Sequence, residues 1–153
     1  MADDIKQVLL FGYGNPGRLD DGLGPALAEE VEKLSLPGVK VDSDYQLTVE
    51  DAAEVAKYEI VIFADASVSC AEPFEFKPLE LKSELSFSSH SVEPGAVMML
   101  AQELFGSLAK CYVLGIRGYE FNEFGERLSE KARANLLAAV GFIENKIRTG
   151  NFD

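Results

Sequence analysis

Three side chains in this 153-residue chain could carry metal or proton chemistry: Asp21, Asp65 and His90. Asp21 ends the stretch VLLFGYGNPGRLDD, just beyond three closely spaced glycines, Gly12, Gly14 and Gly17. Asp65 follows the apolar run IVIFA, and His90, the sole histidine, closes a serine-rich stretch. Two carboxylates and an imidazole form an oxygen-rich, borderline-hard donor set. Such a set suits a divalent transition ion with positions left open for another partner. Each residue also has a plainer reading. Asp21 could cap a helix or pair with its dipole, Asp65 could cap the turn after its strand, and His90 could be exposed or hydrogen-bonded into the structure. Asp20 reads as a capping or surface residue.

Gly12-x-Gly14-x-x-Gly17 is, letter for letter, a dinucleotide fingerprint following a strand. The chemistry around it argues otherwise. Pro16 interrupts the turn, and Asp20 and Asp21 stand where a pyrophosphate would place its charge. Asp42 and Asp44 could act as a ribose-binding acid, but that does not repair the phosphate end.

The elements that must position these residues follow from periodicity. Gln7 to Tyr13 and Ile60 to Ala64 are short apolar runs ended by glycine or aspartate, as expected of buried parallel strands. Leu23, Leu27, Val31 and Leu34 mark an amphipathic helix with Pro25 in its first turn and Pro37-Gly38 beyond its end. Val39 to Asp44 alternates as a strand, and Thr48 with Asp51 opens a short helix through Lys57. Phe74 and Phe76 mark an edge strand. Ser91 is the expected N-cap of a helix containing Pro94 and reaching Leu104. Cys111 to Ile116 is a further buried strand, and Leu128 to Ile147 a closing helix with Ser129 near its start and Gly150 past its end.

This alternation predicts one α/β domain over residues 1–153. It would be a three-layer, open, twisted, mostly parallel sheet of about five strands, with one antiparallel edge strand and helices on both faces. Ligands of such sheets bind beyond the carboxyl ends of the strands, where Asp21, Asp65 and the loop of His90 all belong.

Composition narrows the function classes. Charged residues make up 26% and the net charge is −12, a surface that repels nucleic acid and anionic membranes. Cys70 and Cys111 are too few for a disulfide framework or structural zinc site. The start, MADDIKQ, lacks the apolar run of a signal peptide, and no run of apolar residues is long enough to span a membrane. A cytoplasmic protein is expected.

Taken together, the pieces resemble the hydrogenase maturation peptidases. The resemblance covers nearly the whole chain, through GYGNPGRLDDGLG, DYQLTVEDA at 44–52, VIFADAS at 61–67, SSHSVEPGAVMMLA at 88–101 and LGIRGYEFNEFGERLS at 114–129. Members trim a C-terminal extension from the large subunit of nickel–iron hydrogenases once nickel is in place. The resemblance implies that Asp21, Asp65 and His90 are the nickel ligands and act in catalysis through the metal, which is the substrate's own. It assigns no nucleophile. Asp44 matches a lesser acidic position, followed here by Tyr45-Gln46-Leu47, and Asp44, Gln46 and Asn15 are the expected substrate-binding residues. The Gln-Leu form and the His90-x-x-x-Pro94 spacing look more like the subgroup serving bidirectional or NAD-linked hydrogenases. The implied partner is the large-subunit precursor.

Two other classes compete: a non-catalytic module that holds the precursor on the same fold, and a nucleotide-binding α/β enzyme. GNPG after a strand also resembles peptidyl-tRNA hydrolase. There a histidine soon follows the motif, where this chain has Arg18-Leu19-Asp20-Asp21.

Overall fold

The computed structural model describes residues 7–80 and 92–153; His90, Ser91 and the serine-rich stretch at 83–89 lie outside the described residues. The strands are β1 (Val8–Tyr13), β2 (Val39–Asp44), β3 (Ile60–Ser67), β4 (Phe74–Pro78) and β5 (Lys110–Arg117). The helices are α1 (Leu23–Lys33), α2 (Asp51–Val55), α3 (Pro94–Phe105) and α4 (Glu130–Thr149), and one 3-10 turn, Leu19–Gly22, precedes α1. No described helix is long and apolar enough to cross a membrane.

The sheet runs β2-β1-β3-β5-β4, parallel except for the edge strand β4, which pairs antiparallel with β5. Because side chains alternate across a strand, the buried runs split cleanly between two cores. Val8, Leu10, Ile60, Ile62 and Ala64 pack beneath α1 and α4, among Leu23, Leu27, Leu136 and Ile143. Leu9, Phe11, Val61 and Phe63 face the other layer, with Ala52 and Val55 of α2 and Val97 and Ala101 of α3. Strands covered on both faces have no need of polar alternation, which is why β1 and β3 read as continuous apolar runs.

Some expected boundaries move. The helix after the serine-rich stretch is capped by Glu93, with extended φ −74° and ψ 149°, and starts at Pro94. Pro94 fixes φ without needing an N–H, so it suits a first helical position. Asp65 lies inside β3, not after it: pairing with β1 ends at Ala64, while Asp65, Ala66 and Ser67 continue against β5. The Thr48–Asp51 device does form, with the Thr48 amide donating to Asp51 Oδ2 at 2.8 Å, but its helix stops at Val55.

The order β2-β1-β3 creates a switch point. The chain leaves β1 toward β2 on one side and leaves β3 toward β5 and β4 on the other, opening a crevice at the carboxyl ends of β1 and β3. Two glycines let α1 press into that corner. A Cβ on Gly12 would overlap the carbonyl oxygen of Gly24, and one on Gly24 the carbonyl oxygens of Tyr13 and Ala64. Helix and sheet meet backbone to backbone there. Gly24→Ala should therefore lower stability by about 2 kcal/mol or more, since the obstructing atoms are main chain and cannot rotate away. A thermal melt against wild type measures it.

Candidate functional site

The turn from Gly14 to Gly22 delivers Asp21 to the crevice, and it is fastened from within. The Asn15 amide donates to Asp21 Oδ2 at 2.9 Å, and the Gly17 amide to Asn15 Oδ1 at 2.8 Å. Gly14 donates to the Asp44 carbonyl, Arg18 to that of Asn15 and Asp21 to that of Arg18. Leu19 and Asp20 donate across to the carbonyls of Gly125 and Glu120, each at 2.9 Å. Every main-chain N–H from Gly14 to Asp21 is thus taken, Pro16 having none. A phosphate cradle needs free amides; here they are already bonded, within the turn and to Asp44, Glu120 and Gly125.

Asp20 overturns its sequence reading. It is fully buried, and its carboxylate ties the turn to a distant loop. Oδ2 accepts from the amides of Tyr119 (2.8 Å) and Glu120 (3.0 Å) and from Ser129 Oγ (2.8 Å), and Oδ1 from the Ser129 amide (2.8 Å). Burial alone would raise this carboxyl, but the four bonds outweigh it and hold it below the usual carboxylate range. Leu19, just before it, is held at φ 53°, in the left-handed region that non-glycine residues avoid. Asp20→Ala leaves three amides without their acceptor and should cost about 3 kcal/mol or more. Since the folded carboxyl is depressed, its contribution is full above about pH 4, the unfolded value, and fades as pH falls below it. Denaturant melts at pH 7 and pH 3 read both effects.

Asp65 projects from β3 into the crevice with the Ala66 amide on Oδ1 at 2.8 Å. Its carboxyl is pushed up to about 7, first by burial and then by the charges of Asp21 and Glu93, against the lowering effect of the Ala66 bond. Tyr13, last residue of β1, is a neutral phenol whose pKa burial raises, helped by Asp65 and Glu93. The structure thus brings Asp21, Asp65, Tyr13 and Glu93 into one corner. Tyr13 and Glu93 were missed in the sequence. Their signals were a polar aromatic ending the first strand between two glycines, and an acid three residues after His90 at a helix start.

The sign of the Asp65 shift is testable. A carboxyl raised in the folded state costs stability that grows as pH rises from about 4 to about 7. Asp65→Asn keeps an acceptor for the Ala66 amide and should raise stability by on the order of 2–4 kcal/mol at pH 8. The gain should shrink through neutrality and nearly vanish by pH 4 in paired melts.

The remaining candidates fare differently. Asn15 is occupied in holding the turn. Asp44 lies exposed at the end of β2, Oδ1 accepting from the Tyr45 amide at 2.7 Å, and Gln46 is exposed nearby. Arg18 rests its guanidinium 5.8 Å from the ring centre of Phe124, which is exposed. Cys70 and Cys111 are buried and unbridged, and burial pushes the Cys111 thiol up to about 12, an inert group. His90 lies outside the described residues. Among the described residues, no group of three or more His, Cys, Asp or Glu is placed to hold a metal ion. What they provide is Asp65 within reach of the charges of Asp21 and Glu93, an opposition that a proton or a cation would relieve.

No protein-family model matches the chain, and no curated protein matches its sequence. Solved structures do. The chain is similar to the [NiFe] hydrogenase maturation protease HycI from Thermococcus kodakarensis, with TM-score 0.74 and 21% identity over 95% of each chain. It is also similar to the hydrogenase 2 maturation peptidase of a Thaumarchaeota archaeon, with TM-score 0.68 and 26% identity over 93% of this chain and 98% of that one. The hydrogenase maturating endopeptidase HybD from E. coli gives TM-score 0.68 at 19% identity, over 95% and 94%. The fold is that of these proteins.

Proposed function

We propose that the chain is a cytoplasmic endopeptidase that removes the C-terminal extension of a nickel–iron hydrogenase large-subunit precursor after nickel insertion. The observation that carries this reading is the meeting of Asp21 and Asp65 in the β1–β3 crevice, on the fold of named maturation proteases. Asp65 holds its proton more tightly first because it is buried and then because the charges of Asp21 and Glu93 oppose its own. A divalent cation is the partner that reverses this opposition. In the proposed reaction the cation is the precursor's own nickel.

Asp21 and Asp65 supply two oxygen donors, and His90 supplies the nitrogen that completes a borderline donor set. Engaging the nickel brings the precursor's end to the crevice and so selects a metal-loaded substrate over an empty one. Nickel is also a Lewis acid toward a carbonyl or a water. The chain's own part is orientation. Asn15 fixes one oxygen of Asp21, the Ala66 amide fixes one of Asp65, and Tyr13 offers a phenolic proton beside them. Asp44 and Gln46 line the same rim as candidate substrate contacts, and Asn15 acts through Asp21. The Gln46-Leu47 pair and the His90–Pro94 spacing favour the subgroup that serves bidirectional or NAD-linked hydrogenases.

The test is mass spectrometry of a nickel-loaded precursor after incubation with the chain. Asp21→Asn and His90→Ala should each slow processing by at least about 100-fold, the scale of losing one charge-stabilising group, with melting still cooperative. Full processing by either variant would overturn the assignment. An uncut precursor held by wild type in a stable complex would favour the non-catalytic binding module.

A further inference from the structure

The outer edge of the sheet carries a feature that the crevice does not use. β2 pairs on one side only, with β1. The Val8 amide donates to the Gly38 carbonyl at 2.9 Å and the Gly14 amide to that of Asp44 at 3.1 Å, in the register Val8↔Val39 to Tyr13↔Asp44. Main-chain groups of successive strand residues point to opposite sides. The even-numbered residues of β2 therefore face β1, and Val39, Val41 and Ser43 turn their main-chain groups outward. Ser43 spends its N–H on Asp42 Oδ1 at 2.9 Å. Among the described residues, no strand pairs with the outward groups of Val39 and Val41.

A groove runs along that edge beneath α1. Its lower part, about 360 Å³, is lined by Val31, Leu36 and Val39, and its upper part, about 740 Å³, by Pro25, Ser43 and the neighbours of the Asp21 turn, Pro16 and Gly22. The two parts share Glu32 and Val41, so the groove is continuous from the far end of β2 to the turn carrying Asp21. β2 has six residues, a length of roughly 20 Å.

Acids outnumber bases on both flanks of the edge. Glu29 and Glu32 stand on the α1 side. On the other face Asp51 lies near enough to Asp42 and Asp44 for their charges to raise its carboxyl, beyond the larger effect of burial. The basic side chains are outnumbered: Lys33 is paired with Glu29 and Glu30, at 3.7 and 3.6 Å, and Lys57 with Glu54 at 3.3 Å. Lys40 of β2 and Arg127 and Arg133 of the upper wall stand against Glu29, Glu30, Glu32, Asp42 and Glu126 of the same lining. An exposed edge takes an extended peptide through its main chain, and flanking charge selects the peptide's side chains.

We propose that β2 docks an extended, lysine- or arginine-bearing segment of the precursor as a sixth strand, aligning the chain to be cut with the Asp21 turn. This rests on the peptidase reading for the identity of the precursor. The test separates the two. Fluorescein-labelled (Lys-Val)3 and (Glu-Val)3 peptides are titrated against the full chain by fluorescence anisotropy, and KM and kcat are measured for nickel-loaded precursor. The lysine peptide should bind at least tenfold more tightly than the glutamate one. Val41→Pro, which removes an outward N–H at an edge position that tolerates proline, should weaken that binding and raise KM about tenfold with kcat unchanged. Glu32→Lys, on an exposed helix position, should do the same without risk to the fold. Equal affinity for the two peptides, or wild-type KM in both variants, would overturn the proposal. So would a dimer in sedimentation that Val41→Pro dissolves, which would give the edge to a second copy. A wild-type chain that leaves the precursor uncut overturns the peptidase reading instead, and the anisotropy still reads the edge.

Discussion

The carboxylate of Asp20 is the constraint from which the crevice is built. A buried charge is costly unless its lone pairs are met. Here they are met by amides and a hydroxyl from residues about a hundred positions away. That requirement fixes the Gly14–Gly22 turn against the 119–129 loop. Ser129, in turn, donates its hydroxyl to Asp20 while its oxygen accepts from the Ala132 amide and caps α4. One side chain thereby couples the first turn of the chain to the start of its last helix. Leu19 can be held in a left-handed conformation beside it because the bonds on either side leave no relaxed alternative.

This arrangement divides labour between adjacent acids. Asp20 is sealed and satisfied, and so its charge is neutralised by dipoles before it can act on anything else. Asp21, one residue on, has among the described residues the Asn15 amide alone on its carboxylate, and its charge reaches Asp65. The sealed acid supplies rigidity and the open one supplies unmet charge. Were the two equally satisfied the corner would be inert, and were neither satisfied the turn would not hold its shape.

Much of the fold was legible in the sequence because its signals were strong and local. The apolar runs of β1 and β3, the four-residue spacing along α1 and the glycine after α4 each reflect a physical demand met within a few residues. What escaped was non-local. Asp20 read as a surface acid because its partners lie at 119, 120 and 129, and no pattern around position 20 announces them. Glu93 replaced Ser91 at the cap because serine's preference for that place is a tendency, whereas Pro94 fixes where the helix can begin. Asp65 was expected after its strand because the apolar run ends at Ala64, where β3 loses β1, yet β5 carries the strand three residues further. The topology allowed Asp21 and Asp65 to come within reach of each other's charge, and the folded structure brings them there.

The glycines show why a motif must be read through its hydrogen bonds. In a nucleotide-binding turn, glycine lets the backbone approach a phosphate and present free amides to it. Here Gly12 and Gly24 serve close approach of another kind, backbone against backbone, and the amides from Gly14 onward are already bonded. The same letters therefore produce the opposite electrostatics. A phosphate cradle is positive and waits for an anion, whereas this corner gathers the carboxyl groups of Asp21, Asp65 and Glu93. Because the turn's amides are already bonded, the charge of those acids stays largely unmet; free amides pointing into the crevice would have satisfied the carboxylates as Asp20 is satisfied.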